Sequence, residues 1–225
     1  MKQIRILVDA HWFDEFYSGV TTYIKGIYNE LVKCDDFEIY LAAIDPSRLI
    51  KDFPDKKFRL VKLPYKSKIK NLLIAFPKII KELKIDISHF QYMVPPVKPC
   101  LYVVTIHDLL FLDLREYFRK TFILQKSIEF YFSCRRSDMI FTVSNYSKHQ
   151  IERYFKIPHD KVIVTPNTVL KTLLWNKTKY QGPKHKPQRY ILYVSRVEKR
   201  KNHEALLRAF VELGLFESYF LVFIG

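Results

Sequence analysis

Short runs of apolar and β-branched residues alternate with helical patterns over most of the chain, and this alternation limits the fold more than any other feature. The runs carry few charged residues, which is typical of strands buried on both faces of a parallel sheet. Parallel strands need long crossovers, so the intervening helices are expected to cover both faces. The predicted strands are 4–9, 37–44, 58–63, 85–90, 101–106, 139–143 and 161–165.

Helical periodicity appears between these strands. Ser18 and Gly19 provide a break before the first helix, Pro77 is expected to kink or split the second, and Ser144 is placed to cap the last. Right-handed crossovers then predict an α/β fold with a doubly wound, Rossmann-like sheet. The predicted helices are 20–32, 68–84, 116–136 and 145–156.

The region after the seventh strand changes in composition. Residues 171–189 are polar and basic and contain Gly182, Pro183 and Pro187, as expected of a linker. Beyond it, strands at 190–195 and 219–224 flank a helix at 203–213 that Asn202 is placed to cap. The predicted organisation is a complete N-terminal domain, a basic linker, and the first β-α-β unit of a second domain, at 1–170, 171–189 and 190–225.

Charge and cysteine content narrow the function classes. Lys and Arg number 38 against 23 Asp and Glu, a net charge of +15 that suggests an anionic partner. Cys34, Cys100 and Cys134 lie far apart, which favours buried thiols in a reducing compartment over disulfides or a zinc site. No apolar run is long enough to span a bilayer, and the first residues lack a signal peptide's apolar block. A cytoplasmic location is therefore expected.

Two loops that precede helices are candidates for binding an anion. At Gly19 the backbone can approach a phosphate or sugar, and helix N-termini favour anions. The loop 195–202 places Arg196 and Lys201 before a helix, a pattern suited to a diphosphate. The alternative for Gly19 is a plain tight turn, and the alternative for the loop 195–202 is a solvated run of charges. The sequence has no GxGxxG pattern, which argues against a dinucleotide site.

Polar residues also follow several predicted strands, where open α/β sheets bind ligands. His107 and Asp108 come directly after strand 101–106 and are placed for a polar substrate. Alternatively, Asp108 caps the next segment and His107 packs in the core. His11 and Trp12 follow the first strand, and His89 lies at a strand end with core packing as its alternative.

Four blocks in this order resemble one family. They are DISHF at 86–90 with TIHDL at 105–109, DMIFTVSNYSKHQ at 138–150, KVIVTPNT at 161–168, and YILYVSRVEKRKNHEALLRAF at 190–210. The chain is similar to family 4 glycosyltransferases of the GT-B fold, close to bacterial mannosyltransferase-like members. The resemblance runs from about residue 4 to the end of the sequence.

The resemblance implies a retaining transfer of a hexosyl unit from a nucleoside-diphosphate sugar to a glycan or lipid-linked acceptor. It assigns the donor diphosphate to Arg196 and Lys201, with Gly19 beside the donor phosphate and sugar. His107 would line the cleft next to the transferred sugar, with Asp108 as its neighbour. Asn167 would lie in the hinge region. Family members need no divalent metal or other cofactor, because cationic side chains and helix dipoles stabilise the leaving group.

The sequence departs from the family pattern in several places. Ser18, Thr168 and Ser195 stand where many members have glycine. The late E-x7-E motif, which contacts the donor sugar and ribose in the family, is absent. The chain is therefore expected to be truncated early in its second domain. Alternatives to an active enzyme are a non-catalytic remnant or binding module, or one half of a split glycosyltransferase.

The basic stretch 66–84 has two interpretations. Its six lysines and apolar residues suit peripheral contact with the inner face of an anionic membrane, which the family resemblance also allows. The alternative is an ordinary amphipathic helix packed on the sheet with its lysines in water. Nucleic acid is not expected as a partner, since the aromatic residues fall mostly at core spacing.

Overall fold

The computed structural model describes residues 3–15, 18–167 and 189–225. The chain divides into two compact units, Met1–Leu174 and Trp175–Gly225, and each is described by itself. The predicted linker 171–189 lies outside the described residues except for Arg189. In the described ranges no helix is long and apolar enough to cross a membrane.

The first unit is built on a seven-stranded sheet in which every neighbouring pair is parallel, with strand order β3-β2-β1-β4-β5-β6-β7. This order reverses direction between β1 and β4, as a doubly wound sheet requires. The α/β prediction is confirmed, and each predicted strand is present within two residues of its expected bounds. The strands are β1 Ile4–Asp9, β2 Phe37–Ala43, β3 Arg59–Lys62, β4 Ile87–Gln91, β5 Leu101–Thr105, β6 Met139–Thr142 and β7 Val162–Val164.

Helices cover both faces of this sheet. Helix α1, Gly19–Leu31, packs on one face through Val20, Tyr23, Ile24 and Tyr28. Helices between β3 and β7 pack on the other face, where alternate strand residues such as Leu7 and Val104 meet them. Since side chains of a strand alternate between faces, the two cores are separate clusters divided by the sheet.

The stretch predicted to be a kinked helix forms three consecutive pieces. Helix α2, Lys68–Lys70, continues into a π-helical turn, Asn71–Ala75, and then into α3, Phe76–Glu82. Pro77 lies in the first turn of α3, where its missing N–H is tolerated best. The expected interruption is therefore present, as a wider helical turn before the proline. We refer to the three pieces together as segment 68–82.

The helix predicted at 116–136 begins later than expected. A short helix α4, Leu110–Asp113, and a 3-10 turn, Arg115–Tyr117, come first. Phe118 and Arg119 are extended, and helix α5 then covers Lys120–Arg136. Helix α6, Asn145–Phe155, begins at Ser144, whose hydroxyl accepts a hydrogen bond from the Ser147 amide at 3.1 Å. That predicted cap is confirmed.

The cysteines agree only in part with the expectation of buried thiols. Cys134 is buried within α5, and burial raises the pKa of its thiol to about 12. Cys100 is partly buried and Cys34 is exposed. The prediction was wrong for Cys34 because this residue lies in the turn between α1 and β2, outside both cores.

The second unit contains the predicted β-α-β arrangement. Strands β8, Tyr190–Val194, and β9, Phe220–Ile224, are parallel neighbours joined through helix α7, His203–Glu212. Asn202 precedes α7 in the left-handed region, with φ 52°, and its side chain accepts a hydrogen bond from the Ala205 amide. Asparagine adopts this conformation more readily than most residues, so the predicted cap is confirmed.

Candidate functional site

The carboxyl ends of the central strands bring the candidate polar residues of the first unit together. Strands β1, β4 and β5 are consecutive in the sheet, and His89 of β4 is in register with Val8 of β1 and Val103 of β5. His107 follows β5 by two residues. In a doubly wound sheet this edge, at the reversal of strand order, is where ligands bind.

His107 is held in a defined orientation. Its Nε2 donates a hydrogen bond to Gln91 Oε1 at 2.9 Å, and its ring lies between Tyr23 and Tyr92, with centroid distances of 5.0 and 5.3 Å. Its backbone carbonyl accepts a hydrogen bond from Ser147 Oγ at 3.1 Å. Burial lowers the pKa of His107 to about 4. The imidazole is therefore neutral at pH 7, with its proton on Nε2 and a lone pair on Nδ1.

His89 lies one layer deeper. Its Nδ1 shares a hydrogen bond with the Tyr28 hydroxyl at 2.7 Å, and its Nε2 shares one with the Thr105 hydroxyl at 2.7 Å. Only 2% of the residue is exposed, which corresponds to the core-packing alternative. Burial, with a smaller contribution from His107, lowers the pKa of His89 to about 3. Gln91 donates to His89 Nε2 at 3.3 Å and so connects the two imidazoles.

Asp108 is exposed, unlike its neighbour. Its Oδ1 accepts a hydrogen bond from the Leu110 amide at 3.4 Å, at the start of α4. The carboxylate thus supports the local turn, as the alternative proposed, while it remains accessible to a ligand.

A second polar group follows β1. His11 Nδ1 lies 2.6 Å from Asp9 Oδ1. Burial alone would lower the pKa of His11, but the charge of Asp9 and the hydrogen bond to it outweigh burial and raise this pKa. Beside it, Trp12 Nε1 is buried without a hydrogen-bond partner among the described residues. Lys68 lies 5.2 Å from the Trp12 ring centroid.

Gly19 begins helix α1 and has an ordinary backbone conformation, outside the left-handed region. A Cβ added to it would meet no described heavy atom within 4 Å. The fold of the described residues therefore does not itself require glycine at this position.

Asn167 is exposed after the end of β7. Thr165, two residues earlier, shares a hydrogen bond of 2.6 Å with the Tyr23 hydroxyl of α1, so this strand end is tied to the same helix as Gly19. Thr168, the next residue of the predicted block, lies outside the described residues.

In the second unit, the loop between β8 and α7 carries the other two candidates. The Arg196 side chain is 79% exposed and lies 3.3 Å from Glu198, which also pairs with Arg200 at 2.6 Å. Lys201 ends a 3-10 turn, and its carbonyl accepts a hydrogen bond from Tyr193 at 2.7 Å. The loop thus presents several cations immediately before the N-terminus of α7, where anions are favoured.

Several residues of this network were not predicted. Tyr28, Gln91, Thr105 and Ser147 fix the histidines, yet their role depends on strand register and helix packing. One local pattern does point to Gln91, because His89 and Gln91 are polar residues two apart on the same side of a buried strand. Among the described residues, no group of three His, Cys, Asp or Glu side chains could hold a metal ion.

Comparison with known proteins agrees with this architecture. The sequence model of Glycosyltransferase Family 4 matches residues 17–169, more than half of the chain. The chain belongs to glycosyltransferase family 4. The matched range includes strands β2 to β7 and all candidate residues of the first unit except His11 and Trp12.

The individual relatives share low sequence identity with this family 4 chain. The O-antigen chain mannosyltransferase B of Escherichia coli is 28% identical over 120 residues, a match that covers 48% of this chain and 30% of that enzyme. A glycosyltransferase from Rickettsia africae has a TM-score of 0.50 at 15% identity, with 100% of this chain and 69% of that chain covered. A UDP-GlcNAc 2-epimerase from Methanocaldococcus jannaschii has a TM-score of 0.60 at 16% identity, covering 99% and 65%. These solved structures support the Rossmann-like GT-B fold.

Proposed function

We propose that this chain carries out the transfer of a hexosyl unit from a nucleoside-diphosphate sugar to a glycan or lipid-linked acceptor, with retention of configuration. The observation that carries the proposal is the neutral, doubly anchored His107 at the carboxyl edge of the sheet of a family 4 glycosyltransferase. The similarity to an O-antigen mannosyltransferase makes a nucleoside-diphosphate mannose the first donor to test.

The donor diphosphate is assigned to the cations of the second unit. Arg196 and Lys201 would bind the phosphate oxygens, Arg196 as a planar fork and Lys201 as a point charge. Gly19 of the first unit is assigned to the donor phosphate and sugar by the family resemblance alone. No metal is needed in this scheme, because the two cations and the α7 N-terminus stabilise the negative charge of the leaving diphosphate.

The reacting sugar is assigned to His107 and Asp108. The bond between the anomeric carbon and the diphosphate oxygen breaks, and its electron pair leaves with the nucleoside diphosphate. The acceptor hydroxyl attacks the oxocarbenium-like carbon from the same face and passes its proton to the leaving phosphate oxygen. His107, being neutral, would hydrogen-bond a sugar hydroxyl through Nδ1 without adding charge, so its role is to orient the sugar.

The acceptor is assigned to residues near the end of β1. His11 and Trp12 would line this part of the site, since the buried Trp12 Nε1 has no hydrogen-bond partner among the described residues. Asn167 is a further contact candidate, whereas the buried His89 supports the site from below. For a lipid-linked acceptor, segment 68–82 supports contact at the cytoplasmic face of a membrane, because Ile69, Leu73 and Ile74 are exposed among lysines.

The test is a transfer assay with the 225-residue chain, pooled UDP-, GDP- and ADP-sugars, and lipid-linked glycan acceptors. We expect turnover that falls at least tenfold in Arg196→Ala, because the leaving group loses a cation. The matched control is Arg208→Ala, which removes an arginine of α7 that pairs with Glu204 and leaves the diphosphate loop intact. The product's anomeric configuration, determined by NMR, tests retention.

A second candidate function, a binding module or half of a split enzyme, is favoured by the exposed apolar side chains of β8 and β9. Nucleotide-sugar binding without turnover, measured by calorimetry, would support this candidate and exclude the enzymatic one for the chain alone. Absence of both binding and turnover over the whole donor panel would contradict the enzymatic proposal.

A further inference from the structure

A chain of hydrogen bonds links His107 at the site to helix α1. His107 Nε2 bonds Gln91 Oε1 at 2.9 Å, and the nitrogen of the same amide lies 3.3 Å from His89 Nε2. On its far side, His89 Nδ1 lies 2.7 Å from the Tyr28 hydroxyl. All four residues are more than nine-tenths buried, so the polar atoms between them depend on one another for partners.

The Gln91 amide gives this chain a direction. It turns its oxygen towards His107 and its NH2 group, which can only donate, towards His89. His89 Nε2 therefore carries a lone pair, which also accepts from the Thr105 hydroxyl at 2.7 Å. Burial lowers the pKa of His89 to about 3, so the imidazole is neutral and its one proton is on Nδ1. That N–H donates to the Tyr28 oxygen.

The same groups can also be ordered in reverse. His89 would then carry its proton on Nε2 and donate to the Thr105 oxygen. The Gln91 amide would be turned over, so that its NH2 group donates to His107 Nε2. The imidazole of His107 would hold its proton on Nδ1, the nitrogen that carries a lone pair in the observed direction. The two directions thus present opposite hydrogen-bonding groups to a ligand.

The Tyr28 oxygen favours the observed direction. Only this direction places an N–H on His89 Nδ1, and among the described residues the acceptor for that N–H is the Tyr28 oxygen. A buried N–H without an acceptor costs more than a buried lone pair without a donor. Without the oxygen, the proton of His89 is therefore better placed on Nε2. Burial holds the pKa of Tyr28 well above its ordinary value, so the hydroxyl is neutral.

We propose that Tyr28 determines, through His89 and Gln91, that His107 presents an acceptor rather than a donor to the site. Tyr28, His89 and Gln91 are then positioning residues, which act on the reaction by fixing the proton of His107. His89, which is too deeply buried to line the cleft, influences the site in this way.

A sugar hydroxyl is the group that this arrangement selects. The Nδ1 lone pair of His107 accepts a hydrogen bond from a hydroxyl, whereas a fluorine in the same place has no proton to donate. With the proton on Nδ1, the imidazole would donate instead, and it would distinguish hydroxyl from fluorine less well. This consequence rests on the proposed function, in which His107 orients the transferred sugar, whereas the order of the hydrogen bonds does not.

The experiment is nitrogen-15 NMR of the labelled 225-residue chain at pH 7, because protonated and unprotonated imidazole nitrogens differ widely in chemical shift. The chain has seven histidines, and the signals of His107 are those that disappear in His107→Gln. We expect its proton on Nε2 in the parent chain and on Nδ1 in Tyr28→Phe, with a change of at least about tenfold in the ratio of the two forms. Phenylalanine fills the same space as tyrosine, so the backbone amide spectrum should stay close to that of the parent.

Two further variants test whether the effect is specific and which route it takes. Tyr102→Phe removes a buried hydroxyl of the other core, which donates to the Val97 carbonyl, and this variant should leave the proton of His107 where it is. Gln91→Met removes the connection between the two histidines. Tyr28→Phe added to Gln91→Met should therefore cause no further change at His107.

A proton on His107 Nδ1 in the parent chain would overturn the proposal without any variant. So would an unchanged proton position in Tyr28→Phe, the same change in Tyr102→Phe, or a change that persists without Gln91. In the transfer assay, the preference of kcat/KM for the donor over its monofluorinated analogues should fall about tenfold in Tyr28→Phe at one sugar position. An unchanged preference beside a moved proton would contradict the contact between His107 and the sugar but support the hydrogen-bond order, so the two proposals fail separately.

Discussion

At the scale of single residues, the polar groups beneath the site differ in how the fold treats their charge. His107 and His89 are buried in hydrogen-bonded positions that favour the neutral imidazole, with pKa values of about 4 and about 3. His11, which pairs with Asp9, has a raised pKa. The carboxyl ends of the strands therefore carry two neutral histidines below the site and, beside it, a third histidine that is more easily protonated.

The lowered pKa values predict that stability falls as the pH drops from 7 to 5. The unfolded chain binds protons at these histidines near pH 6.5 while the folded chain does not, so protonation favours unfolding below that pH. For each histidine the free energy of unfolding is lower by about 2 kcal/mol at pH 5, because it falls by about 1.36 kcal/mol for each pH unit below 6.5. Urea unfolding at several pH values measures the free energy of unfolding.

One variant separates this effect from the opposing titration of His11. His11→Gln should steepen the slope, because the raised pKa of His11 contributes stability that is present below pH 6.5 and lost as the pH rises. A free energy of unfolding that is constant between pH 7 and 5 in the parent chain and in His11→Gln would contradict the prediction.

Gly19 gives a second prediction at this scale. Because an added Cβ meets no described atom and the backbone is not left-handed, Gly19→Ala should not lower the free energy of unfolding. If a donor approaches this backbone, the same variant should weaken donor binding at least fivefold, as measured by calorimetry with the donor identified in the transfer assay.

The contrasting variant is Gly214→Ala. Gly214 has φ 62°, so alanine there is strained and should lower the free energy of unfolding by about 1 kcal/mol. It lies after α7, away from the loop 195–202, and donor binding should be unchanged. Parent-like donor binding in Gly19→Ala would exclude close approach of the donor to this residue.

At the scale of elements, the apolar pattern predicted the strands and most helices. Strands buried between two helical layers read as nearly continuous apolar runs, and helices that pack on one side show a period of 3.6 residues. The caps at Ser144 and Asn202 were also predictable, since capping depends on local chemistry. The late start of α5 and the π-helical turn before Pro77 were not, because they depend on how apolar residues pack on the sheet. The role of Tyr28 was hidden for the same reason, because its partner His89 lies on a different element, β4.

The Ser144 cap supports a prediction for helix α6. Ser144→Ala removes the acceptor for the Ser147 amide and should lower the free energy of unfolding by about 1 kcal/mol. Ser144→Asp should retain most of the stability, because aspartate also caps and its charge favours the helix N-terminus. Urea unfolding of the three chains measures this, and equal stability of the alanine and aspartate variants would contradict it.

At the scale of the whole molecule, the two units differ in how well they bury apolar side chains. The sheet of the first unit has apolar cores on both faces. Among the described residues of the second unit, Phe210 is the buried apolar residue, while exposed ones occur on both strands and on α7. The exposed residues are Tyr190, Leu192, Val194, Val197, Leu207, Val211, Leu213, Phe216, Tyr219, Phe220, Phe223 and Ile224.

This contrast predicts unequal hydrogen exchange in one chain. A two-stranded sheet with one helix is marginally stable in water, so amides of β8 and β9 should exchange through frequent local opening. Amides of β1, β4 and β5, at the centre of the seven-stranded sheet, should exchange at least about a hundredfold more slowly. Exchange followed by mass spectrometry on the monomeric 225-residue chain gives both rates in one sample.

The short edge strand β7 is the internal control, since it should exchange faster than β5 although both belong to the same sheet. Protection of β8 and β9 equal to that of β5 would mean that their apolar side chains are covered in solution, and it would contradict this prediction.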